Sequence, residues 1–248
     1  MNTLTASGLR FGVLGPLALW SDGAGDTLTA PKLRGLLTLL LLDSAPVPAA
    51  RARSVLDEDE RRRDSTGALH VAVHRLRRWL VQHGGHRLDL EPAGYRLTVA
   101  GGEVDAQRFR RLLAAARGGT DPAERAEHLM RALALWRGPV GADAPCAVRR
   151  QYAARQLERL RRQATVALAD TCLEAGLADR ALPLIERAAA ESPYDERAQS
   201  LFALSLAACG LPAEALQVIE GTRRTLATEL GIDPGPHLRD AQLRILRP

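Results

Sequence analysis

GLADRALPLIE, which begins at Gly176, returns 34 residues later as GLPAEALQVIE, which begins at Gly210. Gly, Leu, Ala, Leu, Ile and Glu stand at equivalent places in the two copies. A 34-residue period is that of a repeated helix–turn–helix unit. Each such helix pair leaves an apolar face that only a neighbouring pair covers, so the units must stack. From about Val104 onward the chain reads as helices almost throughout.

The first hundred residues follow a different pattern. FGVLGPLALWSDG (11–23) reads as two short strands broken at Gly15-Pro16, with a turn at Asp22-Gly23. A helix is expected from Pro31, a favoured first-turn residue, with Leu33, Leu36, Leu37, Leu40 and Leu41 as its buried stripe. A shorter helix follows at about Pro48 to Glu60, and Asp64, Ser65 and Thr66 supply caps for a third. RLDLEPAGYRLTV (87–99) alternates about Pro92-Ala93-Gly94, the mark of a two-stranded hairpin. Strands, three helices and a hairpin are the order of a winged helix. GGEVD (101–105) joins the two parts. The expected fold class is therefore mainly α: an N-terminal winged helix-turn-helix (α+β, residues 1–102), then an all-α tetratricopeptide-like repeat domain (103–248).

The third helix carries the chemistry. In HVAVHRLRRWL (70–80), Ala72, Val73, Leu76 and Leu80 share one face with Leu69. The other side holds His70, Val71, His74, Arg77 and Arg78, with Arg75 on the flank. Residues 67–87 contain four Arg and no Asp or Glu. A winged helix lays this element in the major groove, whose edges offer acceptors on guanine and a methyl on thymine. His70 and His74 suit the acceptors and Val71 the methyl. Arg75, Arg77 and Arg78 are expected to hold phosphates. Ser65 and Thr66 stand where a helix N-terminus donates to phosphate or is simply capped. Tyr95 and Arg96 stand on the wing, where they reach the DNA backbone or minor groove, or pack on the sheet. The bland alternative for the whole helix is a solvated amphipathic surface.

Other chemistries find little support. The net charge is +5 with pI near 9.7, and Lys32 is the only Lys among the basic residues. Arg abundance by itself can reflect a GC-rich genome, so the placement of charge matters more than its sum. No GxSxG, P-loop, HExxH or dinucleotide fingerprint occurs, so no catalytic residue, cofactor or metal is assigned and an enzyme is not expected. His70 and His74 form an i,i+4 pair without an evident third ligand. Cys146, Cys172 and Cys209 form no ligand spacing and are expected to be buried free thiols. LLTLLLL (36–42) is too short to cross a bilayer, which points to a cytoplasmic protein without membrane contact.

FGVLGPL (11–17), PKLRGLLTLLLL (31–42), HVAVHRLRRWL (70–80), PAGYRL (92–97), ALWRGP (134–139) and ELGIDPGP (229–236) occur in this order. Together they resemble the Streptomyces antibiotic regulatory protein family, and the resemblance covers almost the whole chain. It implies a winged helix followed by a bacterial transcriptional activation domain. It further implies activation of a secondary-metabolite gene cluster, binding to promoter direct repeats as a side-by-side pair of copies, and contact with RNA polymerase. Two motifs also have local readings. In ELGIDPGP, Gly231 ends a helix in the left-handed conformation, and Asp233 caps the next with Pro234 in its first turn. ALWRGP ends an amphipathic helix that uses Leu129, Leu133 and Trp136. One departure stands out: Arg53 replaces an apolar residue of the second helix, and Asp57-Glu58 stand where the family has Trp-Gly. A second function reading therefore remains, a helical-repeat module that binds polymerase or another regulator without touching DNA.

Overall fold

The computed structural model describes residues 10–20, 28–43, 45–56, 65–83, 86–99 and 104–247. The turn at Asp22-Gly23, the run 57–64 and Gly101-Gly102 lie outside these. The chain forms two compact units: residues 1–110 with 135–159, and residues 111–134 with 160–248. The division expected at residue 102 follows the sequence. The packing units instead interleave, because residues 135–159 return to the first.

Among the described residues the first unit starts with β1 (Arg10–Gly12) and β2 (Ala18–Trp20), an antiparallel pair in register Phe11↔Leu19. Then come α1 (Pro31–Leu42), α2 (Ala49–Leu56) and α3 (Ser65–Gln82). The hairpin β3 (Arg87–Glu91) and β4 (Gly94–Thr98) pairs Leu88↔Leu97 and Leu90↔Tyr95 about a two-residue turn at Pro92-Ala93. Val47, just before α2, exchanges both backbone hydrogen bonds with Tyr95 at 2.8 Å. Gly94 makes this possible: its φ is +135°, and a Cβ there would collide with the Val47 carbonyl. This is the winged-helix order.

One of the expected helices differs in detail. α1 is buried at every position from Gly35 to Leu42, while Leu33 is only half-buried. A single stripe was expected, but α2, α3, β4 and the short helix α6 (Cys146–Arg149) all pack on α1. α2 buries Ala52, Val55 and Leu56 against α1 and α3, and residues 57–60 of the expected helix lie outside the described residues. That stripe supports α3 although Arg53 is half-buried.

The return of residues 135–159 is made of backbone hydrogen bonds that join two sequence motifs. Arg137 N–H donates to the Leu14 carbonyl at 2.7 Å, and Gly141 N–H to Val13 at 3.1 Å. The Arg137 guanidinium donates to the Pro16 carbonyl at 2.7 Å and to Asp105 at 3.2 Å. Asp105, first residue of α4 (Asp105–Gly118), also accepts from the N–H groups of Val13 at 2.8 Å and Leu14 at 3.1 Å. Burial pushes its carboxyl above the ordinary value, against the pull of these donors. Asp143 accepts from Leu17 N–H at 2.7 Å and pairs with Arg34 of α1. Burial would raise Asp143, but the Arg34 guanidinium and the Leu17 amide hold it below the ordinary value. Trp136 is buried beside Phe109, ring centroids 5.3 Å apart. It does not extend the preceding helix as expected, because α5 (Pro122–Leu133) stops three residues earlier.

The second unit is helical. α7 (Tyr152–Ala175) leads into α8 (Ala178–Ala190), α9 (Glu196–Ala208), α10 (Pro212–Thr225) and α11 (Pro236–Leu246). α8 and α10 are the two repeat copies, and α9 packs against both of them and against α11. Gly176, Gly210 and Gly231 each take the left-handed conformation, with φ of 66°, 79° and 66°. Ala203, Leu206, Ala215, Ile219, Leu238, Ala241 and Ile245 form the shared core of the last repeat. Asp233 does not cap α11. That helix opens at Gly235-Pro236, where Gly235 N–H donates to Glu196 at 2.6 Å. Cys146 is exposed, contrary to expectation, whereas Cys172 is buried and Cys209 half-buried.

Candidate nucleic-acid interface

α3 is amphipathic for a local reason. At 100° per residue, Leu69, Ala72, Val73, Leu76 and Leu80 fall within one arc, and all five are buried. Val71, His74 and Arg78 lie at the centre of the opposite arc. His70 and Arg77 run along one flank and Arg75 along the other. All six outward residues are exposed, and Val71 shows 52% of its surface. The structure thus brings together His70, Val71, His74, Arg75, Arg77 and Arg78 on one exposed helix side.

Their neighbours divide them. Arg77 donates through Nε to the Leu88 carbonyl at 2.7 Å and so ties α3 to β3. This gives Arg77 a structural duty that the sequence pattern did not mark. His70, His74, Arg75 and Arg78 make no hydrogen bond or ion pair with a described residue. α3 carries no acid, and the two acids of β3 are engaged: Asp89 by Arg87 at 3.4 Å and Glu91 by Arg96 at 2.6 Å.

The wing offers less than expected. Tyr95 is 4% exposed, so its side chain serves the core and has no route to a phosphate. Strand alternation puts Tyr95 on one face of β4, and the packing of α1 on β4 goes with its burial. Arg96 is half-buried in its pair with Glu91. Pro92, Ala93 and Leu90 form the exposed tip instead. Ser65 and Thr66 are the first two residues of α3, and their side chains lie outside the described residues. Sequence reasoning also passed over Gly67, Ala68, Val81 and Gln82, all exposed on α3. Val81 and Gln82 continue the i, i+7 and i+4 spacing from His74 and Arg78. Among the described residues no group of His, Cys, Asp or Glu is placed to hold a metal, and no helix is long and apolar enough to cross a membrane.

The arrangement can donate hydrogen bonds from imidazole and guanidinium to base edges and phosphates, beside an apolar contact from Val71. Comparison with known proteins bears on the family of the chain. The bacterial transcriptional activator domain matches residues 104–246. The chain is 36% identical over 247 residues to regulatory protein AfsR of Streptomyces coelicolor, covering 96% of this chain and 24% of AfsR. It is 32% identical to transcriptional regulatory protein MoaR1 of Mycobacterium tuberculosis, across 100% of this chain and 82% of MoaR1. The solved structure of Mycobacterium tuberculosis EmbR in complex with a low affinity phosphopeptide superposes with a TM-score of 0.73 at 31% identity. That likeness covers 96% of this chain and 65% of the EmbR chain. The chain thus spans about a quarter of AfsR and most of MoaR1. On the activator-domain match and on relatives aligned along its whole length, the chain belongs to the Streptomyces antibiotic regulatory protein family of transcriptional regulators.

Proposed function

We propose that the protein is a sequence-specific DNA-binding transcriptional activator of a secondary-metabolite gene cluster, acting in the cytoplasm without a cofactor. Residues 1–102 carry the winged helix that reads promoter direct repeats, and residues 103–248 carry the surface that recruits RNA polymerase. The observation that carries the reading is the outward side of α3. It is exposed, free of acids, centred on Val71, His74 and Arg78, and fixed from behind by five buried side chains. A merely solvated helix face has no use for a half-exposed valine among unpaired cations, whereas a thymine methyl does. The family resemblance supports the gene-cluster and polymerase assignments.

A gel shift with promoter DNA from the adjacent gene cluster tests the reading. Wild type should retard this fragment at far lower concentration than an unrelated duplex of equal length. Inserting about half a helical turn, roughly 5 bp, between tandem repeats should abolish cooperative binding of two copies. Equal retardation of both duplexes removes sequence-specific reading. Binding to purified polymerase with none to either duplex leaves the helical-repeat interaction module as the function.

A further inference from the structure

The start of α7 carries cationic surface that α3 does not account for. Arg149 and Arg150 end the α6 turn. Tyr152, Arg155, Gln156 and Arg159 follow at i, i+3, i+4 and i+7, so they share one face of α7. All six are exposed, and Tyr152 shows 78% of its surface. Ala153, Ala154 and Leu157 are buried on the opposite side. From Arg149 to Arg159 the chain has four Arg and one acid, Glu158, whose carboxylate is engaged by Val140 N–H at 2.7 Å. None of the four Arg forms an ion pair with a described residue. Arg149 donates only to the Cys146 sulfur, at 3.0 Å. Two acids of the same unit are taken: Asp43 pairs with Arg51 at 2.7 Å, and Asp143 with Arg34.

A basic helix face is most often just solvated. Two features set this one apart. A large aromatic side chain stands in water among the arginines, where hydration alone gives it no reason to be. The face is also fixed to the helix-turn-helix. α6 packs on α1 and α2, and Gly35 of α1 leaves room for Pro145, whose Cδ would lie 2.8 Å from a Cβ at that position. Arg51 of α2 donates through Nε to Gln151 at 3.0 Å. Residues 135–159 and α3 belong to one compact unit.

We propose that Arg149, Arg150, Tyr152, Arg155 and Arg159 form a second DNA-backbone surface, which takes phosphates of the duplex outside the bases read by α3. Guanidinium forks fit phosphate oxygens in pairs, and a Tyr hydroxyl donates to phosphate while its ring covers the sugar. Such contacts lengthen the footprint and add affinity without adding sequence preference. The inference rests on the reading of α3 as a DNA-binding helix.

The test is a salt titration of DNA affinity for wild type, R149A/R150A/R155A and R75A/R78A, on promoter DNA and on an unrelated duplex, with thermal melts and a reconstituted polymerase assay on each. With about 0.9 of slope per phosphate contact, the triple variant should lose about 2.7 from the salt slope, equally on both duplexes, with an unchanged melt. A wild-type slope in the triple variant, with a reduced slope in R75A/R78A, overturns the proposal and leaves the α3 reading standing. A wild-type slope in both overturns both. A triple variant that binds DNA like wild type but fails to activate polymerase assigns the surface to a protein partner and also overturns it.

Discussion

Arg77 and Arg78 are neighbours in sequence, and the structure gives them opposite roles that substitution can separate. Arg77 spends its Nε–H on the Leu88 carbonyl at 2.7 Å, whereas Arg78 points outward from the centre of the exposed arc. A hydrogen bond from a charged donor contributes about 1.5–3 kcal/mol, and water competing at the exposed Arg77 side chain reduces this to about 1 kcal/mol. For a chain of this length about 1 kcal/mol lowers the melting temperature by about 2–4 °C. Arg77→Ala should therefore show that loss, with the salt slope of DNA binding close to wild type. Arg78→Ala should melt like wild type and lose about 0.9 from the slope. A fourfold rise in salt then changes the ratio of wild-type to variant affinity by about 3.5-fold. Differential scanning calorimetry and fluorescence-anisotropy titrations from 50 to 200 mM salt, roughly the range used for such slopes, read both quantities. If Arg77→Ala melts like wild type and loses the full slope increment, Arg77 holds a phosphate, as the sequence pattern alone suggested, and its role as a strut is refuted.

Gly94→Ala should cost about 2–4 kcal/mol, because it meets both a φ of +135° and the Val47 carbonyl; chemical denaturation that shows less than about 1 kcal/mol would mean the hairpin does not need that approach. Asp105 has its carboxyl raised by burial, so the native state keeps that proton to higher pH than the unfolded chain. Its contribution is present in full below the ordinary carboxylate value and fades as pH rises through the raised one. Stability of wild type minus Asp105→Asn should thus fall as pH rises through the acidic range, and a flat difference refutes the assignment. Ile219→Ala, in the core of the last repeat, should cost about 2–5 kcal/mol in the transition of the second unit, read by a calorimetric scan.

Elements set by neighbours in sequence were legible, and those set by distant partners were not. Leu69, Val73, Leu76 and Leu80 announced the buried side of α3 by spacing alone, and Gly176 and Gly210 announced the repeat turns. In α11 the sequence placed the start at Asp233-Pro234, whereas the helix opens at Gly235-Pro236. The choice falls to Glu196, 39 residues away, which accepts from Gly235 N–H. The burial of Leu39 and Leu42 on α1 depends on helices that arrive from several directions. On the candidate site, exposure of Val71, His74 and Arg78 followed from periodicity, but the engagement of Arg77 by Leu88 and the inward turn of Tyr95 are tertiary. FGVLGPL and ALWRGP each looked like local punctuation. Their joint meaning is a set of hydrogen bonds spanning more than a hundred residues, which no window along the chain contains.

That long-range stitching bears on how such regulators can exchange parts. A crossover at residue 102 would deliver β1 and β2 with a foreign sequence where Asp105, Arg137, Gly141 and Asp143 should be. The amides of Leu14 and Leu17 and the guanidinium of Arg34 would then rely on whatever residues the donor carried at those places. A break past residue 159, inside α7, keeps every one of these partners with the strands they serve. Such a break also parts residues 111–134 from residues 160–248, which form one unit, so a hybrid should take residues 135–159 with the winged helix and residues 111–134 with residues 160–248.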